Sequence, residues 1–144
     1  MKALYVSTRD PAGPVRLARR RIVEVMSKPA VTIPFRATLD EALTTMVRTG
    51  LRHLAVIDDG RHCTGVLSDR AIASAWATDY AALGRQTVAD ALEPEPALVS
   101  LRDTVADAAK LMGECGTDAV AVVDDHGRPA GVVTGSDLVR LLAR

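Results

Sequence analysis

Few positions in this 144-residue chain combine residue types that do chemistry. The clearest is Gly131-Val-Val-Thr134-Gly-Ser-Asp137, near the C-terminal end. An apolar run stops at Thr134 and a helix is predicted to start there. Thr134-x-x-Asp137 has the spacing of a capping box, in which hydroxyl and carboxylate satisfy backbone N–H groups that the first turn leaves unpaired. The same spacing has a second reading, in which a strand end delivers a hydroxyl, free helix N–H groups and a carboxylate to one spot where a ligand's sugar binds. Thr38/Glu41 and Thr104/Asp107 repeat the four-residue pattern, so spacing alone leaves both readings open. Catalytic constellations are not found. His53, His62 and His126 have no nucleophile partner in sequence, no Gly-rich Lys loop for phosphate occurs, and Cys63 and Cys115 form no Cys-x-x-Cys pair. The expectation is a protein that is not an enzyme and holds no metal.

The elements that must position Thr134 and Asp137 come from a duplication. Residues 37–72 align without a gap on residues 103–138 when numbers are shifted by 66, as from Gly65 to Gly131. Arg36/Arg102, Thr38/Thr104, Met46/Met112, Gly50/Gly116 and Asp58/Asp124 are among the identical pairs. Each copy spells the same order of elements. A short strand follows Pro29 or Pro96 (Val31–Ile33, Ala97–Val99), and a capped helix with one apolar stripe follows that. Gly50 or Gly116 ends the helix in the left-handed conformation. Two strands then flank an Asp-rich turn (Leu54–Ile57 with Thr64–Leu67, Ala119–Val123 with Ala130–Val133), and a closing helix is predicted near Asp69–Ala77 and Gly135–Ala143. The strands are apolar almost without alternation, so both faces of each sheet should be covered. The predicted fold class is α+β, two β-α-β-β-α repeats packed sheet to sheet about a pseudo-twofold axis. The predicted division is a basic leader at 1–21, repeat one at 22–78, a linker with a possible helical turn at 79–87, and repeat two at 88–144.

Composition bounds the partners. Formal charge is zero, so no whole-molecule field favours nucleic acid or an acidic membrane. The leader is the exception: Lys2, Arg9, Arg16, Arg19, Arg20 and Arg21 face a single Asp10. Without aromatic interleaving it reads as a solvated, partly disordered arm rather than a nucleic-acid contact. Aromatics make up 3% of the chain, so the core must be built from Val, Leu, Ile and Ala, with Met26, Met46 and Met112 filling gaps. No apolar stretch approaches a membrane span and no signal peptide is recognisable, which together with two unpaired thiols leads to a cytoplasmic expectation.

"VMSKPAVTI", "LRHLAVIDDG" and "GVLSDRAI" in the first copy, answered by "ALEPEPALVS", "TDAVAVVDDHG" and "GVVTGSDL" in the second, resemble the cystathionine-β-synthase (CBS) domain. The chain is similar to a stand-alone CBS pair over residues 22–144. The resemblance implies a regulatory binding module that requires no cofactor. Its expected ligand is AMP, ADP or ATP, held between the copies, with homodimerisation and an effector protein as partner. A ligand-free dimerisation scaffold and an S-adenosylmethionine sensor are the alternatives. It further implies that Thr134 and Asp137 hold ribose, with Gly135 allowing close backbone approach. Adenine is expected against Ala97 and Val99, and phosphate against Arg52, His53 and Arg70. Ser68 keeps the hydroxyl in the first copy, but Ala71 stands where the ribose carboxylate belongs, so one adenosine site is expected rather than two.

Overall fold

The computed structural model describes residues 12–143. A short helix, α1 (Gly13–Ala18), and a single turn at Ile22–Glu24 lead into the first copy: β1 (Thr32–Pro34), α2 (Leu39–Thr49), β2 (His53–Ile57), β3 (Cys63–Ser68) and α3 (Asp69–Thr78). A four-residue helix α4 (Ala82–Arg85) and a turn at Ala89–Ala91 lead into the second: β4 (Leu98–Ser100), α5 (Val105–Cys115), β5 (Ala119–Val123), β6 (Pro129–Thr134) and α6 (Gly135–Leu142). The strand and helix boundaries lie within one or two residues of the sequence expectation, and the linker does hold a helix.

Local chemistry explains the elements. Thr38 and Thr104 each accept the backbone N–H of the third helical residue, while Glu41 and Asp107 accept from the threonine N–H in return. Gly50 and Gly116 end these helices at φ 72° and 64°, a left-handed backbone conformation that strains residues with a side chain even where space is open. Each sheet has three strands, a parallel pair followed by an antiparallel one, in the orders β1-β2-β3 and β4-β5-β6. The hairpin turns are held by Asp58 Oδ1, which accepts from the N–H groups of Gly60 and His62, and by Asp124 Oδ1, which accepts from those of His126 and Arg128. Arg36 and Asp59 pair at 2.8 Å, and their counterparts Arg102 and Asp125 at 2.9 Å. The 66-residue shift therefore conserves contacts as well as letters.

Both faces of the central strands are covered. Leu54 and Val56 point into one helical layer with Leu39, Ala42, Met46 and Leu67. On the other face Ala55, Cys63, Ala119, Ala121 and Val132 form the seam between the two sheets. Small residues at this seam let the sheets approach closely, and the Cys63 N–H donates across it to the Gly127 carbonyl at 2.8 Å.

The packing units are out of phase with the sequence repeat. Ile22, in front of β1, is fully buried in the core of the second copy beside Val99, Met112, Val120 and Val133. Its N–H donates to the Asp103 carbonyl, and Ser27 and Val132 exchange a pair of backbone bonds at 2.9 and 3.1 Å. Val88, 66 positions later, is fully buried in the core of the first copy, its N–H on the Ala37 carbonyl. Each copy thus lends its leading segment to the other, and burying one such side chain contributes about 1.5–3 kcal/mol. Of the leader, read as a solvated arm, residues 12–21 hold α1, which lies beside α5 and α6 without a buried residue, and Arg21 bridges to Thr104. The rest of that leader, 1–11, lies outside the described residues.

Candidate functional site

The end of β6 and the start of α6 form one wall of an open cleft of about 500 Å³ between the copies. Thr134 Oγ1 accepts the Asp137 N–H at 3.3 Å, and Asp137 Oδ2 accepts the Thr134 N–H at 2.9 Å, which completes the capping box. The two readings of the motif therefore coexist, because Asp137 caps its helix and also lines the cleft. The residue is 7% exposed and is the one buried charged group among the described residues. Its remaining oxygen, Oδ1, accepts from Arg140 Nη2 one turn along the same helix. Arg140 lines the cleft too and is 70% exposed, so a single solvated guanidinium neutralises a carboxylate that water scarcely reaches.

The facing wall comes from the first copy. Pro29, Ala30 and Val31 supply an apolar side ahead of β1, and Gly50, Leu51, Arg52 and His53 close the far end. His53 Nε2 lies 3.1 Å from Asp118 Oδ1, joining the starts of β2 and β5 across the two copies. Burial pushes the Asp118 carboxyl up, but the His53 hydrogen bond, the His53 charge and the nearby Arg70 outweigh it and hold the group below the usual carboxylate range. The acidic residue at this end is therefore held as a carboxylate with His53 as its partner.

The glycines of the motif differ in purpose. A Cβ on Gly131 would sit 2.8 Å from the Ser27 carbonyl oxygen and 2.6 Å from Met26 Sδ. Gly131 is thus demanded by the exchanged segment crossing β6. A Cβ on Gly135 would meet nothing nearer than the Asp118 carbonyl at 3.8 Å, the same oxygen that the Gly135 N–H reaches at 2.8 Å.

The CBS domain model matches residues 22–78 and 88–144. The chain belongs to the CBS-domain family. A CBS domain-containing protein of Dictyostelium discoideum is 29% identical over 132 residues, covering 85% of this chain and 91% of that one. A CBS domain protein of Thermoplasma acidophilum superposes with a TM-score of 0.75 at 29% identity, covering 83% of this chain and 67% of the other. The CBS domain pair of protein MJ0100, solved with 5′-methylthioadenosine and S-adenosylmethionine, gives 0.74 at 25% identity, covering 84% and 98%. Other relatives are much longer than this chain, which spans 23% of the L-aspartate semialdehyde sulfurtransferase of Methanocaldococcus jannaschii. Among the described residues no helix is long and apolar enough to cross a membrane.

Within this CBS pair the sequence-predicted residues divide into three groups. Thr134, Gly135, Asp137, Arg52 and His53 meet in the one cleft as expected. Arg70 is absent from that lining but joins Arg52 and His53, with Asp69 and Asp118, in an adjoining shallow site, and it also faces the neighbouring cleft with Ser68 and Ala71. Ala97 and Val99 are corrections. Ala97 lines a separate cleft with Gly65, Val66 and Thr117, and Val99 is 5% exposed in the second core. The pseudo-twofold axis brings the segment before each copy's first strand against the other copy's third strand. The wall opposite Thr134 is therefore Pro29–Val31, while Ala97 lies against Gly65 and Val66. Sequence reasoning missed Arg140 as well; its signal was a basic residue three positions after the carboxylate, on the same helix face. Trp76 is half-exposed and rests against Tyr80 with ring centroids 5.0 Å apart.

Proposed function

We propose that this CBS pair is a regulatory module that binds an adenosine-containing ligand, AMP, ADP or ATP, in the Thr134–Asp137 cleft and alters a separate partner protein. The observation that carries the proposal is Asp137, a carboxylate kept at 7% exposure in the wall of a cleft large enough for a nucleoside. Capping does not require it: Ser68 caps α3 through its hydroxyl alone, on the Ala71 N–H at 3.1 Å, and that helix forms. The carboxylate suits the vicinal hydroxyls of ribose, which donate to its oxygens. Pro29–Val31 offer an apolar face for the base, and Arg52 and His53 offer positive charge for phosphate. A ligand here touches both copies, so it favours one angle between them, and a partner that prefers that angle senses the ligand. Binding rather than turnover is the activity proposed. The exposed side chains Trp76, Tyr80, Val139 and Leu142 on the helical rim support a homodimer or an effector contact.

A second reading, a sensor of S-adenosylmethionine, is favoured by Asp118, whose exposed carboxylate in the cleft lining suits that cationic ligand better than a triphosphate. The MJ0100 pair was solved with S-adenosylmethionine and the neutral 5′-methylthioadenosine. Thermal unfolding with AMP, ADP, ATP, 5′-methylthioadenosine and S-adenosylmethionine separates the readings. A ligand at about a hundred times its dissociation constant adds roughly 2.7 kcal/mol, several degrees in Tm. The compound giving the shift names the class, and Asp137→Asn should abolish it. Ligand-free protein that responds to none of the five would favour the interaction scaffold instead.

A further inference from the structure

We infer that Arg140 biases this cleft toward anionic adenosine ligands over neutral ones, in addition to the charge of Arg52 and His53. The inference rests on the proposed adenosine site. Asp137 has two oxygens and the helix cap holds one of them, so Oδ1 is the oxygen left for a ribose diol, and Arg140 Nη2 now holds it. A diol that takes Oδ1 competes with a charge-assisted hydrogen bond. The displaced guanidinium is mostly solvated, on a flexible stem rooted one turn further along α6, and it remains at the cleft wall. A ligand with a negative group beyond the ribose gives that guanidinium a new partner. A ligand lacking one bears the displacement without compensation. Arg140 is thus a partner exchanged during binding.

The two copies of the repeat support this. Position 137 corresponds to Ala71 and position 140 to Ser74, so the first copy lacks both members of the pair. Its α3 is nonetheless a complete helix of ten residues. The scaffold does not need the Asp–Arg pair, which occurs where the cleft presents a carboxylate and is absent where it does not. Arg140 is 70% exposed and its one described hydrogen bond is to Asp137, so its replacement leaves the core untouched.

The test is titration calorimetry of the full chain with AMP and 5′-methylthioadenosine, which share adenine and the ribose diol and differ at the 5′ position. Wild type should bind AMP more tightly. Arg140→Gln should lower the preference for AMP over 5′-methylthioadenosine by about tenfold, the worth of one charge-assisted contact, chiefly by tightening 5′-methylthioadenosine, which no longer displaces a guanidinium. Arg140→Lys should recover part of the AMP preference, and raised salt should erode the preference more in wild type than in Arg140→Gln. An AMP to 5′-methylthioadenosine ratio that stays constant across the three proteins overturns the role of Arg140 while leaving the site intact. Failure of wild type to bind either compound overturns the adenosine site itself and this inference with it.

Discussion

Replacing Gly131 with alanine should unlatch the segment that the first copy lends to the second. The new methyl carbon would lie 2.6 Å from Met26 Sδ, 2.9 Å from Met26 Cγ and 2.8 Å from the Ser27 carbonyl oxygen. The methionine end can swing aside. The Ser27 carbonyl cannot, because Ser27 and Val132 are tied by reciprocal backbone bonds of 2.9 and 3.1 Å. Relief therefore means lifting the segment from β6, which loosens two hydrogen bonds worth about 1 kcal/mol each net. Overpacking of the residual contact adds about 1–2 kcal/mol. The expected loss is about 2–4 kcal/mol, or roughly 6–13 °C in Tm for a chain of this size. Gly135→Ala is the matched control in the same motif. Its Cβ has free space, and alanine is the better helix former, so stability should hold or rise by up to about 1 kcal/mol. Urea unfolding of both variants, followed by circular dichroism, reads the difference. Met26→Ala combined with Gly131→Ala should recover only the methionine share in a double-mutant cycle. A Gly131→Ala protein as stable as wild type would show that segment 22–27 does not cross β6 as described.

Three further outcomes follow from the same contacts. Arg61 adopts a left-handed φ of 67° at the position where the second copy has Gly127 at 74°, so Arg61→Gly should raise stability by about 0.5–1 kcal/mol in urea, and a loss would refute the turn geometry. Asp58, Asp107, Asp118 and Asp124 all sit below the ordinary carboxylate value of 3.8; a depressed folded pKa gives stability that is complete above that value and lost as pH falls through the lower folded values. Stability should thus be level from pH 7 to 5 and decline below about pH 4, and a midpoint near pH 6 would contradict this. Burial raises the Cys63 thiol above its ordinary 9.0, whereas Cys115 is exposed. A thiol reagent at pH 8 should therefore modify one group per chain promptly, and Cys115→Ser protein that still reacts at the free-thiol rate would count against the buried seam.

What was legible in the sequence was whatever repeats locally. Capping boxes, left-handed glycines and Asp-held turns are each settled within a few residues, and they recur at a fixed shift because the backbone requirement recurs. The errors concern which surface faces which. A repeat alignment cannot tell whether a copy folds on itself or trades its leading segment, since Ile22 and Val88 are equally apolar either way. That ambiguity placed Ala97 and Val99 opposite Thr134, where the pseudo-twofold axis in fact brings Pro29–Val31. Asp137 was legible because its motif is local. Arg140 was not, because an exposed arginine on a helix is ordinary until the carboxylate beside it proves to be buried. Burial changes the meaning of the pair. On the surface such a pair is worth little, but here one member is almost withdrawn from water, and the other is then the nearest means of neutralising it. On the proposed adenosine reading, a ribose must therefore contend with a charge already satisfied, and its contest with the guanidinium for Oδ1 would set how tightly the cleft binds.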